Sequence, residues 1–227
     1  MAQNWHDLLF AHWCVPAEKM RELVPRGLEL DTFEGSAWIG VVPFRMSGVR
    51  LRGTPTMPGL SAFLELNVRT YVQTEGKPGV WFFSLDAANR IAVEIARAWF
   101  HLPYFSARMR LEAKGDAIHY SSRRVDGRGM GESLAMKYAA DGESFETRPA
   151  SLECFLTERY CLYAQRKDGA ILRGEIHHAP WSLQSARAEF AENTMTSALG
   201  AQLRGEPLLH FAKLQEVVVW APQVVCV

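Results

Sequence analysis

Apolar and polar positions alternate with a period of two over long stretches of this chain, and a helical period appears only in short ones. Residues 28–33, 37–44 and 63–73 alternate or run apolar with β-branched and aromatic residues, which predicts strands. Glu75-Gly76-Lys77-Pro78-Gly79 reads as a turn, and 80–85 resumes an apolar strand. Further on, 109–113 and 118–125 form a hairpin around Lys114-Gly115-Asp116, and another strand lies near 134–138. Residues 160–166 pair with 170–177 around Lys167-Asp168-Gly169, and 209–220 is strongly β-branched. Helical spacing interrupts this three times. Pro16 suits a first helical position, and Met20, Leu23 and Val24 form a stripe that Pro25 and Gly27 stop. Ile91, Ile95, Ala98, Trp99 and Leu102 share one face of a second helix, capped by Ser84 or Asp86 and ended at Pro103. A short third helix follows Ser151.

About ten strands and two or three short helices predict an α+β fold, a mainly antiparallel β-barrel or curled sheet with helices attached. No composition break or repeat divides residues 1–227, so one domain is expected. A Rossmann-type repeat is excluded by the lack of a glycine fingerprint and of helices between strands.

Charge narrows the partners. Lys+Arg and Asp+Glu both number 25, so no net field attracts a polyanion, and neither nucleic acid nor an anionic membrane is an expected partner. No apolar run reaches membrane-spanning length, and Met1-Ala2-Gln3-Asn4-Trp5-His6-Asp7 does not read as a signal peptide, so a cytoplasmic location is expected. Cys14, Cys154, Cys161 and Cys226 lack metal or redox spacing and read as buried free thiols. His6, His12, His101, His119 and His210 form no metal-binding spacing, and adjacent His177 and His178 would point to opposite faces of a strand. No metal and no cofactor are expected. No serine sits in a nucleophile elbow, and Arg123-Arg124 reads as solvated surface.

The most informative segment is Phe63-Leu64-Glu65-Leu66-Asn67-Val68-Arg69-Thr70-Tyr71-Val72. Alternation puts Glu65, Asn67, Arg69 and Tyr71 on one face, and Leu64, Leu66, Val68, Thr70 and Val72 on the other. A strand with one solvated face gives the same pattern. If instead the polar face looks into a barrel, Glu65 and Arg69 stand roughly 13 Å apart along the strand, enough to bracket a ligand. Burial would raise the pKa of Glu65 toward acid–base work, and the fork of Arg69 would hold a carboxylate or enolate-like oxygen. Asn67 and Tyr71 would orient the ligand, with Trp81 and Phe83 as apolar wall. Only six of the 25 basic residues are lysine. Lys77, Lys114 and Lys167 fall in turns and Lys19 on an exposed helix face, which leaves Lys137 and Lys213 to reach a cavity.

Several blocks together resemble the YqjF-like family of uncharacterised bacterial proteins. They are Trp5-His6-Asp7-Leu8-Leu9-Phe10-Ala11-His12-Trp13, Val24-Pro25-Arg26-Gly27-Leu28, the 63–72 segment above and Gly79-Val80-Trp81-Phe82-Phe83-Ser84-Leu85-Asp86. Leu102-Pro103-Tyr104-Phe105, Phe155-Leu156-Thr157-Glu158-Arg159-Tyr160 and His210-Phe211 extend the match over almost the whole chain. The resemblance implies an acetoacetate decarboxylase-like barrel around a small-molecule cavity, and a homo-oligomer. Decarboxylases of this fold carry a strand glutamate, matched by Glu65, and a Pro-Lys-Lys segment, matched by Pro103, Tyr104 and Phe105. A phenol and a phenyl ring form no imine, so Schiff-base decarboxylation is not expected.

Three readings follow. The first is an enzyme, intact or degenerate, acting on a small carbonyl or carboxylate compound, with Glu65 as acid or base, Arg69 as anion holder and Tyr104 as hydrogen-bond donor. The alternative is a non-catalytic ligand-binding or sensing module that kept the cavity and lost the lysine. A β-rich interaction protein with a filled barrel is the blandest third.

Overall fold

Glu75 and Gly76 both adopt positive φ, 53° and 69°, the geometry of a two-residue hairpin turn whose twist matches the flanking strands. The turn is therefore tighter than the five-residue one expected, and Lys77 already begins the next strand. A computed structural model of the chain describes residues 1–57, 59 and 61–225; Cys226 lies outside the described residues. In chain order the elements are β1 (Ala2–Val15), α1 (Ala17–Leu23), β2 (Glu29–Leu30), β3 (Ala37–Arg50), β4 (Phe63–Thr74) and β5 (Lys77–Ala87). Then come α2 (Arg90–Phe100), β6 (Tyr104–Lys114), β7 (Ala117–Arg124), β8 (Ser133–Glu146), α3 (Leu152–Thr157) and β9 (Cys161–Gln165). The chain ends with β10 (Ile171–His177), β11 (Ser182–Asn193), β12 (Leu208–Val219) and β13 (Gln223–Val224).

All strands join one mixed sheet in the order β13-β10-β9-β5-β6-β7-β8-β11-β12-β1-β3-β4-β2, and extra β5–β4 and β10–β12 pairings bend it into closed rings. Among the described residues only β5–β6 and β5–β9 are parallel pairs, and α2 is the crossover that the first of these requires. Strands β12, β1, β3, β4 and β5 form a wall shared by two interiors. One, closed by β6, β7, β8 and β11, is packed solid with Leu9, Ala11, Trp13, Ile39, Val41, Leu66, Val68, Tyr120, Tyr138 and Phe211. Each fully buried aliphatic side chain there contributes about 1.5–3 kcal/mol. The other, closed by β9 and β10, is only partly filled.

Several local expectations are corrected. Strand β1 has no continuous alternation because Asp7 takes positive φ (54°) at a register shift against β3, which reverses the inward and outward sets. Helix α2 is capped by Asn89, whose side chain accepts from the Ile91 and Ala92 amides, and not by Ser84 or Asp86. Its expected core face is inverted: Ile91 and Trp99 are 61% and 65% exposed, while Val93 is fully buried. Pro16 occupies the cap of α1 and not its first turn. Arg124 is buried, because alternation along β7 turns it inward between Asp86 and Glu132 at 2.7 and 2.9 Å. Cys14 is exposed, and Cys161 is buried.

Candidate functional site

Among the strands that line the partly filled interior, β4 does so by simple alternation and β1 and β5 do so through bulges. On β4 simple alternation suffices: Leu66 and Val68 enter the packed core while Glu65, Asn67 and Arg69 face the opposite way. On β5, Val68 pairs with Ser84 but Arg69 with Phe82, which leaves Phe83 as an extra residue. The bulge shifts the phase of the strand, so Val80, Phe82 and Leu85 face inward. On β1 the shift at Asp7 does the same, presenting Gln3 and Trp5 before it and Leu8 after it. Phe100 of α2, Thr157, Arg159, His178 and Trp181 complete a wall around a cavity of about 90 Å³.

At one end of the cavity the hydroxyl of Tyr104 donates to Glu65 Oε2 at 2.9 Å. Burial pushes the Glu65 carboxyl from an ordinary 4.5 to about 8; the Tyr104 hydrogen bond pulls it down, and nearby Asp86 pushes it up. At neutral pH Glu65 is therefore mainly a neutral acid. Because Tyr104 claims Oε2 as an acceptor, the acidic proton belongs on Oε1. Burial, followed by the Glu65 charge, holds the Tyr104 phenol well above its usual range, so it stays a donor. The Tyr120 hydroxyl reaches across from the packed interior to the Glu65 carbonyl oxygen at 2.8 Å and pins the strand there.

Arg69 carries the opposite character. It is 8% exposed, lies over the Phe10 and Tyr71 rings at 5.2 and 5.8 Å and donates to the Leu156 carbonyl oxygen at 3.4 Å. Among the described residues no carboxylate pairs with it, and its Nε lacks a hydrogen-bond partner, as does Asn67 Oδ1. Arg159, by contrast, is paired with Asp31 at 2.5 Å. Buried polar groups without protein partners are costly; a bound carboxylate or water meets that need.

Glu65, Asn67, Arg69 and Tyr104 thus stand on one cavity wall. Tyr71 shares their face but lies beyond the cavity, its hydroxyl donating to the Leu156 carbonyl oxygen at 2.7 Å and accepting from His12 Nε2 at 2.6 Å. Trp81 and Phe83 are not on the wall; both border an open groove on the outside, because Phe82 and the bulge take the inward positions. Phe82, Arg159, His178 and Trp181 were missed. Only the position of Phe82 follows from sequence, once a bulge is allowed. The two free lysines are also displaced: Lys137 pairs with Glu189 and Lys213 with Asp7 on the exterior. Among the described residues no group of three or more His, Cys, Asp or Glu side chains is placed to hold a metal ion. No helix among them is long and apolar enough to cross a membrane.

Comparison with known proteins agrees with this architecture. The sequence matches the DUF2071 family, uncharacterized conserved proteins, over residues 2–216. It is 48% identical over 221 residues to uncharacterized protein YqjF of Bacillus subtilis (strain 168), covering 97% of this chain and 90% of that one. Among solved structures it resembles the enduracididine biosynthesis enzyme MppR complexed with pyruvate, with a TM-score of 0.67 at 12% identity, covering 98% and 89% of the two chains. Acetoacetate decarboxylase from Legionella pneumophila gives 0.64 at 13% identity, covering 99% and 87%. At such identities the likeness is one of fold.

Proposed function

We propose, from the premise that the chain belongs to the DUF2071 family of uncharacterized conserved proteins, that its cavity binds a short carboxylate bearing a carbonyl group and acts on it by proton transfer, without an imine. The observation that carries this reading is the buried Arg69 guanidinium, unpaired by any described carboxylate, in the same cavity as a carboxyl that burial keeps protonated. With Glu65 neutral and Arg159 paired with Asp31, these side chains leave one positive charge, which suits a monoanion. Size bounds the ligand further. A void of about 150 Å³ accepts benzene, so a cavity of about 90 Å³ suits a molecule of roughly three or four carbons. Crystallised MppR binds pyruvate, a molecule of that size and charge. Arg69 would grip the carboxylate, Asn67 would accept from a hydroxyl or enol, and Glu65 Oε1–H would meet the carbonyl oxygen. A second reading, a binding module without chemistry, is favoured by the apolar remainder of the wall, including Phe82, Phe100 and Trp181.

Calorimetric titration with pyruvate, acetate and acetone tests the binding step. Pyruvate and acetate should bind and acetone should not. Arg69→Gln should weaken pyruvate at least tenfold, since a hydrogen bond to a charged group contributes about 1.5–3 kcal/mol. Acetone binding as well as pyruvate, or indifference to Arg69→Gln, would sink the reading.

A further inference from the structure

Besides Glu65, the cavity wall carries one imidazole, that of His178. His178 follows β10, lines the cavity and is 4% exposed. Its Nδ1 lies 2.8 Å from the Ala179 carbonyl oxygen. A carbonyl oxygen only accepts, so Nδ1 carries the hydrogen and the tautomer is fixed by the backbone. Tyr160 stacks on the ring at 4.6 Å and 22°, and Trp181 flanks it at 5.1 Å. Between them they fix its plane. Among the described residues Nε2 has no hydrogen-bond partner, and it is not fully enclosed by protein. In the neutral ring Nε2 is a lone pair held at a constant angle. Backbone-anchored Nδ1–H with free Nε2 is the arrangement a general base requires.

We propose that His178 is a catalytic base that removes a proton from the carbon next to the carbonyl of a short 2-oxo acid, with Glu65 as the acid, so that the site enolises its ligand. The inference rests on the reading of the cavity given above. In the forward step the C–H bond breaks and its proton goes to Nε2. The electron pair forms the C=C bond, the carbonyl π electrons move to oxygen, and that oxygen takes the Glu65 Oε1 proton. Reversal restores the ketone and both residues. No oxidant, reductant or co-reactant is needed. If the histidinium exchanges its proton with solvent before reversal, the carbon returns with a solvent hydrogen.

The test is pyruvate in D₂O followed by proton NMR, with binding measured in parallel by calorimetry. Wild-type protein should exchange the methyl protons well above the buffer rate. His178→Gln, whose amide can still donate to the Ala179 carbonyl oxygen, should slow exchange at least a hundredfold, within the usual contribution of a general base. Its pyruvate affinity should stay within threefold. Exchange within fivefold of wild type in a folded His178→Gln protein overturns the assignment. Nitrogen NMR of the wild-type ring gives a check that needs no variant. Nδ1 should be protonated and Nε2 unprotonated, and pyruvate should shift Nε2; an unmoved Nε2 overturns the assignment as well. Pyruvate bound without exchange refutes the base alone, whereas no binding removes the cavity reading and this inference with it.

Discussion

Glu65→Gln should convert a strongly pH-dependent stability into a flatter one. Burial raises the Glu65 carboxyl from 4.5 to about 8 in the native protein, while the unfolded chain ionises near the ordinary value. Between these limits the native state holds one proton more than the unfolded state. Stability therefore falls as pH rises, by about 1.4 kcal/mol per pH unit. The contribution is fully present below pH 4.5 and gone above about 8; from pH 5 to 8 the loss is about 4 kcal/mol. That is a large share of a typical total of about 5–15 kcal/mol. Glutamine keeps an acceptor for the Tyr104 hydroxyl and has nothing to titrate. Asp86, which burial raises to about 6, falls in the same window and is coupled to Glu65, so Asp86→Asn in both backgrounds isolates the Glu65 contribution. Urea unfolding followed by tryptophan fluorescence, at half-unit steps from pH 5 to 9, measures that contribution. The variant should gain about 4 kcal/mol relative to wild type across the window. A difference constant to within about 1 kcal/mol would mean that Glu65 is ionised in the native protein, and the acid role would fall.

Four further outcomes are expected. Arg124 is buried between Asp86 and Glu132 and stacked 3.9 Å over Phe105; Arg124→Met leaves two buried carboxylates without a counter-charge and should cost about 3–5 kcal/mol in chemical denaturation. On α2, Val93→Ala should cost about 2 kcal/mol, whereas Trp99→Ser should stay within about 0.5 kcal/mol; the reverse order in thermal melts would mean that the helix is turned over. Borohydride with pyruvate should trap no adduct on wild-type protein, and an adduct mass-mapped to Lys137 or Lys213 would overturn the expectation that no imine forms. Tyr104→Lys places an amine beside Glu65, and the same treatment should then label residue 104.

The strands whose two faces differ in chemistry were legible, and those whose phase breaks were not. β4 alternates without interruption because Leu66 and Val68 meet a packed core while Glu65, Asn67 and Arg69 meet a cavity, so these three could be grouped from the sequence. β5 misled because the bulge at Phe83 exchanges inward and outward sets midway, making Trp81 and Phe83 look equivalent to residues that line the wall. β1 was invisible for the same reason at Asp7. β11 was invisible because its half-buried positions are filled by small residues such as Ala186 and Ala188, whose hydrophobic signal is weak. On α2 the periodicity was real but the side was wrong: Ile91, Ile95 and Trp99 form the longer apolar stripe, yet it is Val93 that packs inside. His178 carried no signal at all. Its place on the wall depends on how the segment after β10 turns, and no local pattern encodes that.

The tyrosine at position 104 changes the chemistry of the cavity more than its charge. A lysine there would be cationic beside an ionised Glu65, and with Arg69 the three would sum to one positive charge. With Tyr104 both members of the pair are neutral, and Arg69 again leaves one positive charge. Either arrangement attracts a monoanion equally well, so the class of ligand can persist while the nucleophile is gone. What differs is where the mobile proton resides. An amine beside a carboxylate would keep Glu65 ionised and unable to donate. A phenol held well above its usual pKa range stays protonated and leaves the acidic hydrogen of the carboxyl free for the ligand. On the proposed reading, Tyr104 in place of an amine makes the reactive element an oxygen that delivers a proton, not a nitrogen that attacks carbon. The complementary base on that reading is His178, which lines the same cavity.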